Sequence, residues 1–186
     1  MGDAAQRTAH IKDAVDFFVA IDSGTLPAVS FVKPDAMLDG HPAQSKLNLF
    51  EAMLRKILGT LEMNPRLKAN TVVFIIFDES GGYYDSGFIQ PLDFFGDGPR
   101  IPLIVLSPYS TGGHVVHSYN DQVSILKFIE RNWGLRPLSG RSRDNLPNPI
   151  ADEDDPYIPR NSPAIGDLFD MFDFGGDGQR SHQHPG

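Results

Sequence analysis

The sequence contains no cysteine, which excludes disulfides, thiolate metal sites and cysteine nucleophiles together. The compartment stays open, because many exported proteins do without disulfides. Basic residues are also scarce: 16 Lys and Arg against 24 Asp and Glu give a formal net charge of -8. Such a balance disfavours nucleic acid or an anionic membrane as the main partner and tolerates bound cations. No segment has the uninterrupted apolar length of a membrane-spanning helix, so no stable membrane span is expected. The opening Met1-Gly-Asp-Ala-Ala-Gln-Arg7 lacks the apolar core of a secretory signal. No internal repeat is present. Gly96-Asp-Gly98 and Gly112-Gly113 lack the strand-then-helix setting of a phosphate-binding loop, so no nucleotide site is expected.

What remains has a globular composition, with 186 residues, 40% hydrophobic and 10% aromatic, enough for one sizeable core. Ile11, Ala14, Val15, Phe18 and Val19 recur at helical spacing and predict a helix from Thr8 to Ile21 that Ser23-Gly24 stops. The β-branched and aromatic run Ala28 to Val32 predicts a strand, ended by Lys33-Pro34. Ser45 is the expected N-cap of the clearest helix, whose apolar stripe is Leu49, Phe50, Met53, Leu54, Ile57, Leu58 and Leu61. Apolar runs from Thr71 and from Arg100 read as buried strands, and a helix is expected from about Asp121 to Trp133, closed by Gly134.

Helices and strands in this order predict an α/β fold in three layers, a mainly parallel sheet with helices on both faces. Residues 1–138 form the expected core. Residues 139–174 are expected to be an extended wrapping segment, rich in proline and acid, whose late apolar patch (Ile165, Leu168, Phe169, Met171, Phe172, Phe174) docks back. Residues 175–186 are expected to be a loose, disordered tail.

The chemistry concentrates where the run beginning at Thr71 ends in Phe77-Asp-Glu-Ser-Gly-Gly82. In layered α/β proteins ligands gather outside the carboxyl ends of the strands. Neighbouring strand residues point to opposite faces, so Asp78 and Glu79 reach a single ion only if the chain turns at once, which Gly81 and Gly82 permit. The ordinary readings of such a pair are a helix cap, a solvated turn or ion pairs with Arg100. Its place at a strand end suits a hard cation of the calcium, magnesium or manganese type. His41, in the loop after the first expected strand, is placed on the same sheet edge as Asp78, where it can donate to an anionic substrate oxygen; the alternative is a surface histidine beside a proline. His114 and His117 read as solvent histidines before a helix.

Thr25-Leu-Pro-Ala-Val-Ser30, Gly40-His-Pro42, Asn70 to Asp85, Arg100 to Pro108 and Tyr119 to Trp133, in this order, resemble the phosphoesterase family of bacterial phospholipases C and related acid phosphatases. The resemblance runs from about Phe17 to Phe174. It implies an alkaline-phosphatase-like fold and a divalent-metal phosphoester hydrolase acting on phospholipids or small phosphomonoesters, commonly secreted or periplasmic. It also implies Asp78 and Glu79 as metal ligands and a catalytic His41 facing the phosphoryl group. The family's Glu-Asn metal motif and hydroxyl nucleophile have no counterpart here, so the sequence resembles the C-terminal portion, a partial domain expected to be weakly active or inactive alone. The alternative is a non-catalytic remnant or cation-binding structural module.

Overall fold

Asp13 divides the first expected helix in two. In the computed structural model, which describes residues 3–85, 87–110 and 112–175, its carboxylate accepts from Val15 N (2.8 Å) and Asp16 N (3.0 Å), while Asp16 reaches back to Asp13 N (3.4 Å). This capping box starts α2, Ala14–Ser23, afresh after α1, Ala4–His10. Gly24, at φ 68°, ends α2 in the left-handed region that favours glycine.

The chain divides into two compact units, one up to Val72 and one from Val73 onward. The first also holds α3, Leu47–Glu62, and α4, Pro65–Lys68. Its buried apolar residues are Ile21, Met53 and Leu61. Asn64 joins its parts: Oδ1 caps α4 at Leu67 N (3.2 Å), and Nδ2 donates to Ile21 O (3.0 Å) at the end of α2.

Two expectations fail in this unit. Ala28 to Val32 form no strand, and Phe31 is exposed; β-propensity expresses packing against a neighbouring strand, and none is present there among the described residues. Ser45 does not cap α3, whose N-cap position is Lys46 without a side-chain bond. The Ser45 hydroxyl donates to Met37 O (2.7 Å) and accepts from Gly40 N (3.3 Å), so the preceding loop has captured it.

The second unit contains β1, Val73–Ile76, β2, Leu103–Leu106, and α5, Val123–Trp133. β1 and β2 pair antiparallel, Val73 opposite Leu106 and Ile76 opposite Leu103. The fold is therefore α/β, but among the described residues the sheet has two antiparallel strands, not the three-layer, mainly parallel arrangement expected. Parallel neighbours need a crossover, usually helical; the chain between β1 and β2 carries no helix among the described residues.

Asp121 and Ser124 start α5 reciprocally. Asp121 Oδ1 accepts from Val123 N (2.7 Å) and Ser124 N (3.2 Å), and Ser124 Oγ accepts from Asp121 N (3.1 Å). Gly134, at φ 63°, ends the helix as expected. Phe128 on α5 is the aromatic hub, its ring centroid 5.0 Å from Phe74 of β1, 5.0 Å from Phe169 and 5.2 Å from Phe172.

Residues beyond 138 have little regular structure apart from two short 3-10 turns, Arg143–Asn145 and Phe169–Met171. Buried polar side chains hold them instead. Lys127 Nζ donates to Leu146 O (2.8 Å), Asn148 Oδ1 (2.9 Å) and Ile165 O (2.6 Å). Gln90, fully buried, donates to Ala164 O (2.8 Å) and accepts from Ala164 N (2.8 Å) and Ser162 Oγ (2.7 Å). Ile165 and Leu168 are wholly buried. The tail expected from Gly175 lies, from 176 on, outside the described residues.

Candidate functional site

β1 stops at Ile76, and the chain turns through Ser80 to Tyr83, where Tyr83 N donates to Ser80 O (3.2 Å). Gly81 and Gly82 sit at φ 66° and 77°, the left-handed conformation that an immediate turn requires. Asp78 and Glu79 precede this turn and are both exposed. Neither carboxylate makes a hydrogen bond or ion pair with any described residue. They cap no helix, and Arg100 is engaged elsewhere, by Asp85 (2.6 Å). Of the ordinary readings, the solvated turn survives.

The backbone beneath the pair is anchored. Gln122, just before α5, donates through Nε2 to Asp78 O (2.6 Å) and Phe77 O (3.4 Å). Next to it, Asp121 belongs to a charged assembly around Arg143. The Arg143 guanidinium donates to Asp93 Oδ2 (2.9 Å), Asp97 Oδ1 (2.8 Å), Asp121 Oδ2 (3.2 Å) and Gly96 O (3.0 Å). Tyr119 donates its hydroxyl proton to Asp97 Oδ2 (2.8 Å) and accepts from Gln90 N (3.1 Å).

These contacts set the protonation of the assembly. Burial, then the Asp97 charge, pushes the Asp121 carboxyl up, while Arg143 and two backbone amides act against them. Burial likewise pushes the Tyr119 phenol up. Arg143 holds Asp93 down. The three carboxylates outnumber the single guanidinium, so the assembly carries a net negative field beside the anchored backbone of Asp78.

His41 lies in the first unit, on the loop that Ser45 fastens. Its backbone N donates to Asp39 Oδ1 (2.9 Å), and its ring Nδ1 lies 2.6 Å from Pro42 O. A carbonyl can only accept, so Nδ1 carries the proton, and in the neutral ring Nε2 is left as the acceptor. The side chain is exposed. The strand on which its placement beside Asp78 rested does not form, and the two residues fall in different units. His114 is exposed, and His117 packs edge-to-face on Tyr157 (4.9 Å).

No group of three or more His, Asp or Glu side chains among the described residues is gathered to hold a metal ion. Asp78 and Glu79 offer two unpartnered anionic oxygen ligands, the donor type that calcium, magnesium and manganese take. The pair therefore fits a hard divalent cation as part of a ligand set.

The sequence pattern of the phosphoesterase family matches residues 3–136. The chain belongs to the phosphoesterase family. Among proteins similar to this chain is a "Hemolytic phospholipase C" of Pseudomonas aeruginosa, 28% identical over 180 residues, covering 85% of this chain and 22% of that protein. A "Phospholipase C B" of Mycobacterium tuberculosis is 30% identical over 145 residues, covering 65% of this chain and 28% of that protein. A "Non-hemolytic phospholipase C" of Burkholderia pseudomallei is 29% identical over 142 residues, 62% of this chain and 20% of that protein. The chain thus spans well under a third of the length of these relatives.

His41, Asp78, Glu79 and Gln122 all lie inside the stretch matched to the phosphoesterase family, whereas Arg143 lies beyond it. Sequence reasoning passed over Gln122, Asp97, Asp121 and Arg143. Asp121 carried a signal, an acid two residues before a helical stripe, but its second partner Arg143 is 22 residues away. No periodic pattern marks such a pairing.

Proposed function

We propose that this chain supplies part of the active site of a divalent-metal-dependent phosphoester hydrolase of the phospholipase C type, with phospholipids as the substrate class. The observation that carries this is the Asp78–Glu79 pair, two exposed carboxylates without partners, held at a strand end by a glycine turn beneath which Gln122 fixes the backbone. The relatives' names supply the reaction and the lipid. Asp78 and Glu79 would hold the metal. The bound metal supplies charge neutralisation on the phosphate oxygens and activates the nucleophile. On this reading the chain corresponds to the C-terminal portion of a larger catalytic domain, whose other part would supply the remaining ligands and the nucleophile. In that domain β1 and β2, apolar on both faces, join a larger mainly parallel sheet of the alkaline-phosphatase-like kind.

The test is hydrolysis of phosphatidylcholine and of a water-soluble phosphoester by protein purified as its gene encodes it, with and without chelator. Turnover that requires metal and is lost in Asp78→Asn supports the reading. Turnover indifferent to both overturns it. A second reading, a cation-binding structural module, rests on the same exposed pair and on the lack, among the described residues, of any larger group of candidate ligands. It predicts that metal raises thermal stability without hydrolysis of any phosphoester.

A further inference from the structure

Two pairs of adjacent aromatic residues project from the chain that follows β1. Tyr83 and Tyr84 are 73% and 93% exposed, and Phe94 and Phe95 are 95% and 89% exposed. Isolated exposed apolar side chains are ordinary on any protein surface; two adjacent pairs of largely exposed rings within a dozen or so residues of one chain segment are a denser exposure than that. Asp85 and Arg100 clamp the loop between them (2.6 Å), with Tyr84 at its base and the two phenylalanines within it.

The Phe94–Phe95 turn is not slack. Asp93 Oδ1 accepts from Phe95 N (2.8 Å) and Gly96 N (3.1 Å). Arg143 holds the same turn from beneath, at Asp93 Oδ2 (2.9 Å), Gly96 O (3.0 Å) and Asp97 Oδ1 (2.8 Å). The polar groups are fastened inward while both rings face outward, meeting edge-to-face at 5.3 Å. A rigid turn that presents two apolar rings avoids most of the ordering cost of binding a surface.

We infer that Phe94 and Phe95, flanked by Tyr83 and Tyr84, form an interfacial anchor that seats in the headgroup layer of a zwitterionic phospholipid surface. The inference deepens the phospholipase reading and rests on it for the choice of a lipid partner. Apolar rings enter the acyl boundary, and tyrosines, with an apolar body and a polar tip, sit at headgroup level. Charge selects the lipid. The chain carries a net charge of -8, and the anchor turn contains Asp93 and Asp97, so an anionic surface repels it and a neutral phosphocholine-type surface does not. Tyr83 and Tyr84 follow Asp78 and Glu79 on the same short turn, so seating the anchor brings the candidate metal ligands to the headgroup phosphates.

The experiment is vesicle co-sedimentation of the protein as its gene encodes it. Phosphatidylcholine vesicles are compared with vesicles containing phosphatidylserine, for wild type and the Phe94→Ser/Phe95→Ser double variant, with circular dichroism confirming the fold. The expected result is binding to phosphatidylcholine that the double variant weakens by about tenfold or more. Turnover of a water-soluble phosphoester stays unchanged while turnover of vesicle lipid falls. Equal binding by the two proteins, or tighter binding to the anionic vesicles, overturns the inference. It is also overturned if Phe94→Trp, in a Trp133→Phe background, is shielded from iodide before lipid is added, because the ring is then covered by polypeptide. Vesicle binding by a protein with no phosphoester turnover upholds the anchor and overturns the hydrolase reading.

Discussion

Arg100 grips both carboxylate oxygens of Asp85, fifteen residues away in the chain, through Nε (2.9 and 3.1 Å) and Nη2 (2.6 Å). The amides of Arg100 (2.8 Å) and Gly87 (2.9 Å) complete the ring of donors. Arg100's side chain and then its amide hold the Asp85 carboxyl far below the usual carboxylate range. A Cβ placed on Gly87 would overlap the Arg100 guanidinium at Nε and Cζ. The guanidinium is the far end of a flexible side chain, so it moves and the backbone does not. Gly87→Ala is therefore expected to open the clamp without unfolding the unit. The measurement is limited proteolysis, with faster cleavage between residues 85 and 100 than in wild type. Gly98→Ala, where a Cβ meets nothing within 4 Å, is the control and should cut at the wild-type rate.

The clamp also shows what kind of structure the sequence carried openly. β1, β2, the glycine turn and α5 were legible because each follows from neighbours along the chain: a β-branched run, two glycines, a 3.6-residue stripe, a terminal glycine. Ala28 to Val32 read as a strand by the same local rule and failed, since a strand exists only where another pairs with it. Ser45 failed because Met37 O and Gly40 N compete for its hydroxyl, which no cap rule weighs. The Arg143 assembly and the Gln90 bonds to Ala164 join residues 22 to 74 positions apart. Nothing in the spacing of their residues announced them. Asp78 and Glu79 were legible as a pair; that they have no partners among the described residues was not.

Those free carboxylates predict an unusual separation of effects. Asp78→Asn removes no hydrogen bond or ion pair among the described residues, so metal-free stability should be unchanged. With free calcium, magnesium or manganese at about 100 times its dissociation constant, a bound cation stabilises the wild type by about 2.7 kcal/mol. Differential scanning calorimetry should show that increment in wild type and its loss in both Asp78→Asn and Glu79→Gln. A variant that keeps the increment removes that residue from the ligand set.

Glu130 on α5 and Asp144 on the first 3-10 turn are both buried. Burial first, and then the neighbouring Asp144, pushes the Glu130 carboxyl from 4.5 up to about 7. Hydrogen bonds that include Ser142 and the Leu138 amide hold Asp144 low despite its burial. One proton is thus shared unequally, with Glu130 keeping it. Between 4.5 and 7 the folded chain binds more protons than the unfolded one, so this stabilisation is complete below about pH 4.5 and is lost as pH rises through 7. Urea unfolding should show a loss of roughly 1–3 kcal/mol across that window. In Glu130→Gln, which cannot ionise and can still donate to Asp144, the window should flatten. An unchanged slope would sink the assignment.

Lys127 tests the same region from the other side. Its ammonium group, brought below its ordinary range first by burial, donates to Leu146 O, Asn148 Oδ1 and Ile165 O. These bonds tie two stretches of irregular chain to α5. Lys127→Met keeps the apolar stem but leaves the three acceptors unmet, with an expected cost of about 2–4 kcal/mol. The Lys127 charge also acts to lower the Glu130 carboxyl. Its removal should therefore move the stability loss of the preceding experiment to higher pH, opposite in kind to the flattening expected of Glu130→Gln. Measured by urea unfolding at several pH values, a lower but unshifted profile would mean that Lys127 acts only through its three bonds and that its charge does not reach Glu130.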